Sequence, residues 1–520
     1  MRTDRAWDAW NDPERHFFPP EAAHPTPRPV VRIGAASVKS ARRISLLIFL
    51  CLVLPLGIIL ALVTPPGGVA DEAAHALRAE SLGHGEIAGH RATIRLPNGR
   101  VAAAAGVEAD PGLLDAMAVT GPGQWVTPAR LRAARAAQWR GQRSFAEITP
   151  LALYLPIFYL PSAIAMRVIE LLQGGPSAAV LAGRMINLFT YALLGFAALR
   201  TARSGHGLLL CTLALPMEVS LAASLNQDGL LIASTVLALA LLTRADGPAP
   251  WRGTAARPVP TPWLLALLLL GFTALAKLPY ASLLLLPVLP IEIRRACLLR
   301  TALATLVALP ALAWTGFAMW HISVPWPPLP PYHAGPLWPG PGSRIFFSPD
   351  PLAQLQVLLA APSRIVTLTL QSILPDHALL LQFIGVLGFL SLRLPGWVYA
   401  LWALALAAGF ALDRLHPAPP PARLRAPDAI AVLFALAIAV VAIYISQYLT
   451  WTRVGETRVQ GPSGRYFLPL LPALVLLCPG GIATRHATVL RGACFLLIAA
   501  AALGSLVAVP LCILDGFYAP

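Results

Sequence analysis

The sequence predicts an all-α polytopic membrane protein, and three observations carry that prediction. Long apolar runs recur from residue 44 to residue 512. Of 520 residues, 57% are hydrophobic and 12% charged, with a mean hydropathy of +0.67; a soluble domain carries about 25% charged residues. The basic residues gather in short segments between the apolar runs, as expected where loops face the cytoplasm. That clustering also excludes nucleic acid as the reason for the formal net charge of +15.

Taken in order, residues 1–43 are polar, Pro-rich and basic, ending in VKSARR, and read as a disordered cytoplasmic tail. The head is too long for a signal peptide, and TPPGG offers no small-residue cleavage site. The first span therefore stays attached. About 13 transmembrane helices follow in the domain 44–520, over 44–63, 177–199, 207–224, 228–244, 262–276, 279–292, 297–319, 355–373, 377–392, 395–413, 428–447, 465–478 and 492–512. The stretch 151–172 is apolar too, but prolines interrupt YLPIFYLP. It reads as a re-entrant or interfacial segment, which needs protein or water over its backbone. With the N-terminus inside, RTARSGH, TRADGPAPWRGTAARP, RRACLLR, DRLHPAPPPARLRAP and TRHATVLR all face inward, in accord with the positive-inside rule.

Three outer segments remain. Loop 64–150 opens with PPGGVADEAAH and passes through LPNGRV, where Asn98-Gly99 signals a hairpin. It reaches TPARLRAARAAQWRGQR, a helix starting at Thr127-Pro128 with Arg132, Arg135 and Trp139 at helical spacing. A basic amphipathic helix with Trp, over 129–143, belongs at a lipid headgroup. Loop 320–354 is rich in Pro and aromatic residues, and 448–464 leads straight into a span. There is no internal repeat. The cysteines, at 51, 211, 297, 478, 494 and 512, lie in or beside apolar runs without metal spacing and read as packing residues.

On this topology the intramembrane polar residues converge on the outer face. Asp71, Glu72 and His75 follow the first span; Tyr154 and Tyr159 sit in the broken segment. Arg184 and Asn187, Asn226 and Asp228, Lys277 and Tyr280, and Arg465 and Tyr466 all fall at outer ends of spans. Chance would divide them between both faces. Ionisable residues at membrane depth mark functional sites by default. Cations at 184, 277 and 465 would suit a departing phosphate, and a carboxylate at 71 or 72 would act as general base. Asp71 and Glu72 could also hold a divalent cation such as Mg or Mn. The order DExxH is not the HExxH of zinc proteases.

The stretches PPGGVADEAAH, YLPIFYLP, GRMINL, SLNQD, AKLPY and GRYFLPLLP resemble, in the same order, the PPDExxH family of uncharacterised polytopic bacterial membrane proteins. The match runs from about residue 45 to 515. That family looks like part of the GT-C glycosyltransferase superfamily. The resemblance implies a GT-C-like fold with interfacial helices in the first extracytoplasmic loop, and a polyprenyl-phosphate-linked sugar as donor. It also implies a glycan, lipid or protein acceptor, an inner-membrane location and Asp71 or Glu72 as base. One departure is Ser463, where the family often has Gln before GRY. Three other readings remain open to test. One is a scaffold of an envelope-assembly complex, which would leave the carboxylates idle. Another is a transporter or flippase of an anionic lipid or envelope precursor. The third takes GPSG (461–464) as the GxSG of an intramembrane serine protease, which lacks a histidine on the last span.

Overall fold

The computed structural model describes residues 30–96, 99, 101–119, 125–244, 259–289, 294–324, 332–340, 345–346, 350–415, 426–478 and 486–518. The first helix begins at Val30, before the boundary expected at 44; residues 1–29 of the expected tail lie outside the described residues. It runs as α1 (Val30–Ile48), one loosened π turn (Phe49–Val53) and α2 (Leu54–Val63). Pro55 has no N–H to donate, and the winding loosens just before it.

A mixed unit at one end of the bundle follows, made of α3 (Glu72–Gly83), β1 (His90–Arg95), β2 (Val101–Ala109), α4 (Pro111–Met117), α5 (Pro128–Ala136), β3 (Ser144–Glu147) and α6 (Leu160–Leu171). The strands form an antiparallel sheet in the order β1-β2-β3. The hairpin expected at 98–99 is present: Arg95 pairs with Val101, and Gly99 takes the left-handed backbone the turn needs (φ 78); Asn98 lies outside the described residues. Asp110 caps α4 through Gly112 N and also accepts from Arg140 N and Gly141 N, clamping the α5–β3 connection. Leu113, Val107, Tyr159, Met166, Val180 and Leu225 bury together, fastening this unit to the bundle. The segment 151–172 is two 3-10 turns and α6, too short to span, as expected.

The bundle comprises α7 (Pro176–Thr201), α8 (His206–Ala214), α9 (Pro216–Ala222), α10 (Asp228–Arg244), α11 (Thr261–Ala276) and α12 (Arg294–His321). It continues with α13 (Pro351–Ala360), α14 (Arg364–Ile373), α15 (Ala378–Gly385), α16 (Gly396–Arg414), α17 (Ala426–Thr450) and α18 (Ala487–Tyr518). Two further segments, Leu278–Val288 and Gly464–Leu477, are 3-10 helices carrying internal prolines. Contacts define two ends. At one, Tyr518 Oη donates to Val63 O (3.0 Å) and Tyr280 Oη to Tyr466 O (2.9 Å). At the other, the amides of Gly207 and Leu208 donate to Asp413 (2.9 Å each), and Arg414 reaches Leu477 O. Large apolar side chains stay exposed on the flanks, among them Phe189, Leu193, Leu306, Leu404, Phe434 and Leu503, a surface suited to lipid rather than water.

The thirteen expected spans are met only in part by long helices. Among the described residues six helices are long and apolar enough to cross a membrane: Lys39–Val63, Pro176–Thr201, Cys297–His321, Gly396–Arg414, Ala426–Thr450 and Ala487–Tyr518. The run 207–224 breaks at Leu215-Pro216 because Pro216 has no N–H to continue the helix; the Tyr191 hydroxyl donates to Leu213 O beside that break. In 355–373, α13 and α14 meet at 109°. In 377–392, an eight-residue helix gives way to a turn pairing Val386–Leu387 with Leu392–Arg393. Both segments are apolar enough for spans, but the first is bent at residues 361–363 and the second is broken by the turn at 388–391.

Candidate functional site

Two adjacent carboxylates point to different partners. Glu72 opens α3 and is fully buried. Arg184 meets it side-on, Nε to Oε1 at 2.7 Å and Nη2 to Oε2 at 2.6 Å. Gly67 N and Leu225 N donate to the same carboxylate at 3.1 and 3.3 Å. Arg184 spends its other donors on the carbonyls of Ala61, Thr64 and Pro65. Every group in this pair is committed. It staples the end of α2, the Pro-Gly turn, α7 and the start of the 225–228 loop together.

Asp71 sits one residue earlier with φ 64 and ψ 4. That left-handed backbone is unusual for a residue with a Cβ, and it swings the carboxylate away from Glu72. The Asp71 side chain is 49% exposed, and Arg465 Nη2 donates to its Oδ2 at 2.5 Å. Burial of the group opposes its charge, but Arg465, then His75, outweigh it and hold the carboxyl below its ordinary range. His75 lies one helical turn on, its Nδ1 at 2.5 Å from the Tyr159 hydroxyl. Burial pushes the imidazole down to about 4, so it is neutral at neutral pH.

Around Asp71 stand the remaining polar groups. Lys277 Nζ pairs with Asp228 Oδ1 at 2.6 Å and lies 5.3 and 5.2 Å from the ring centres of Tyr154 and Tyr466. The Arg465 guanidinium lies 5.2 Å from the same Tyr466 ring. Arg465 is buried, and its Nε and Nη1 have no hydrogen-bond partner among the described residues. A buried donor left open costs free energy unless something fills it. Beside Lys277 a largely apolar cleft of about 340 Å³ opens between Leu278–Val288, α12 and α17, with Tyr154, Tyr280, Trp314, Gln447 and Tyr466 in its wall.

The structure thus brings Asp71, His75, Tyr154, Tyr159, Asp228, Lys277, Tyr280, Arg465 and Tyr466 to one end of the bundle, as the sequence suggested. Four of the expected site residues are held in structural contacts instead. Glu72 has no lone pair to spare for a proton or a divalent cation, and its partner Arg184 cannot also hold a phosphate. Asn187 and Asn226 serve the backbone: Asn187 Nδ2 donates to Ser224 O, and Asn226 Oδ1 accepts from Asp228 N, starting α10. Because the Asp71 and Glu72 carboxylates diverge, they do not form a two-carboxylate metal site, and no group of three metal ligands occurs among the described residues. Thr127 caps its helix as expected, but α5 ends at Ala136 rather than 143. Trp139 instead donates from Nε1 to Gly174 O. The Ser463 hydroxyl is buried with no hydrogen-bond partner among the described residues. The sequence reading passed over Trp314, Ser446 and Gln447 in the cleft wall; the polar pair in IYISQYLTW was the available signal.

A family model described as "Predicted membrane protein (DUF2142)" matches residues 54–474. No curated protein matches the chain. Among solved structures, the crystal structure of ArnT from Cupriavidus metallidurans in the apo state aligns with 86% of this chain and 75% of that chain. Identity is 14% and the TM-score 0.28, a likeness too slight to carry anything over from that protein.

Proposed function

The chain belongs to the DUF2142 family of predicted membrane proteins, and for this member we propose glycosyl transfer at the Asp71 end of the bundle. The donor is a sugar on a polyprenyl phosphate, and the acceptor an envelope glycan, lipid or protein. The motif resemblance to GT-C enzymes supports the reaction class and its site outside the cytoplasm of the inner membrane. The observation that carries the reading is Arg465: its Nη2 is held by Asp71 and the Tyr466 hydroxyl, and its buried Nε and Nη1 have no partner among the described residues. A phosphate oxygen fits those donors as a charge-assisted acceptor.

The acceptor hydroxyl attacks the anomeric carbon, the bond from that carbon to the phosphate oxygen breaks, and polyprenyl phosphate leaves onto Arg465 with Lys277 nearby. Inversion at the anomeric carbon follows from single displacement. Asp71 takes the hydroxyl proton. A carboxylate held below its ordinary range cannot strip an alcohol outright. The proton moves late, as the new bond acidifies the hydroxyl. Phosphate arriving on Arg465 adds negative charge beside Asp71 and raises its proton affinity, so a loaded donor strengthens its own base. Glu72 and Arg184 position the turn that presents Asp71.

The test is release of polyprenyl phosphate from polyprenyl-phosphate-linked sugars by the purified full chain in lipid nanodiscs. Wild type releases it and Asp71→Asn does not. Equal turnover by both removes Asp71 as base, and movement of intact lipid without sugar release replaces transfer by transport.

A further inference from the structure

Three arginines stand at the end of the bundle opposite Asp71. Arg42 lies on α1, Arg200 in the last turn of α7, and Arg244 closes α10. Helix α1 packs on α7, and α7 on α10. Arg203 N donates to Thr243 Oγ1 (3.2 Å), tying the chain after α7 to the last turn of α10. The Phe49 ring, two turns beyond Arg42, lies 5.8 Å from the Tyr191 ring on α7, an antiparallel register that sets Arg42 beside the last turn of α7. Asp413, a carboxylate at this end, is committed to the first amides of α8. The positive-inside rule asks only for basic residues in loops; it does not ask them to converge, which costs repulsion. The Arg42 Nε is buried with no hydrogen-bond partner among the described residues, and so is the hydroxyl of Ser45, three residues on along the same face and wholly enclosed. Toward the membrane from these groups, Leu47 on α1 and Phe196 on α7 are exposed apolar side chains.

We propose that Arg42, Arg200 and Arg244 seat the phosphate headgroup of an anionic phospholipid in the leaflet opposite the Asp71 site, its acyl chains lying along Leu47 and Phe196. The arginines cancel the headgroup charge, which removes their mutual repulsion, and the open Arg42 donor takes a phosphate oxygen. Basic pockets between helices recognise anionic headgroups in this way. The exposed apolar neighbours favour a lipid over free phosphate. This site is independent of the reaction proposed above.

The test is native mass spectrometry of the full chain in detergent with equal phosphatidylglycerol and phosphatidylcholine. Wild type retains phosphatidylglycerol in excess. Arg42→Gln and Arg244→Gln each reduce that excess about fivefold, whereas Arg43→Gln, on an exposed neighbour, leaves it intact. Arg42→Lys keeps charge without the fork and retains part of it, which guards against variants that merely misfold; thermal melting checks the fold of each. No excess in wild type, or an undiminished excess in Arg42→Gln/Arg244→Gln, overturns the proposal. Displacement of phosphatidylglycerol by millimolar inorganic phosphate, with phosphate retained instead, assigns the seat to free phosphate and overturns the lipid.

Discussion

Arg184–Glu72 and Arg465–Asp71 are both arginine–carboxylate pairs, their acids adjacent in sequence, yet they differ in everything that decides use. In the first the side chains are 3% and 0% exposed and every donor and acceptor is filled. In the second the acid is 49% exposed and the arginine keeps two open donors. A closed pair can fix geometry but cannot exchange a proton or receive a ligand. An open pair can do both, at the cost of buried donors left waiting. Charge and spacing alone do not separate structural from reactive ion pairs; saturation does.

The comparison breaks first at its closed member. Glu72→Gln leaves Arg184 buried without a counter-charge, and loss of one partner of such a pair costs about 3–5 kcal/mol. Thermal unfolding in detergent should therefore show a large drop in Tm, with residual turnover in whatever fraction folds. If Glu72→Gln melts like wild type and loses turnover, the roles of the two acids are reversed. The open member behaves oppositely. Asp71→Asn keeps a side chain that tolerates the left-handed backbone. It lowers Tm less than Glu72→Gln does, since the acid itself is half exposed although Arg465 is buried, and lowers turnover about 10²–10⁴-fold.

His75 gives a subtler separation. Its folded pKa lies near 4, against 6.5 for the free side chain. Between those values the unfolded chain binds the proton and the folded one does not. Stability should be full above about 6.5 and fall as pH drops toward about 4, by up to about 3 kcal/mol. His75→Gln should flatten that limb in melts taken across pH 4 to 7; an unchanged slope would show that other groups carry the acid sensitivity. The smallest effect is kinetic. Arg465 holds the Asp71 carboxyl below its ordinary range, so the acid limb of kcat/KM should lie below that of an unpaired aspartate. In Arg465→Gln the surviving activity should show that limb moved to higher pH.

Much of this was legible in the sequence because it rests on position. Asp71, Asp228, Lys277 and Arg465 each stand at the end of an apolar run, and runs packed side by side align their ends. The division of labour between Asp71 and Glu72 was not legible, since it depends on a single left-handed backbone angle and on Arg184, 112 positions away. The breaks within apolar runs were not legible for a different reason. Hydropathy reports that Pro351–Ile373 and Ala378–Arg393 prefer lipid or protein to water, but not whether such a segment crosses or doubles back. The bend between α13 and α14 and the turn after α15 are set by Pro362 and by the reversal at Gly388 (φ 62).

The 3-10 winding of Gly464–Leu477 has a mechanical consequence. Fourteen residues at about 2.0 Å per residue reach about 28 Å, close to the thickness of a hydrocarbon core; as an α-helix the same residues would reach about 21 Å. Pro469 and Pro472 withhold two of the amide hydrogens that tighter coiling into an α-helix would enlist. The segment is in effect a stretched spacer whose pitch sets the depth at which Arg465 stands. Rewinding it would draw that arginine about 7 Å along the axis, well outside hydrogen-bond reach of Asp71.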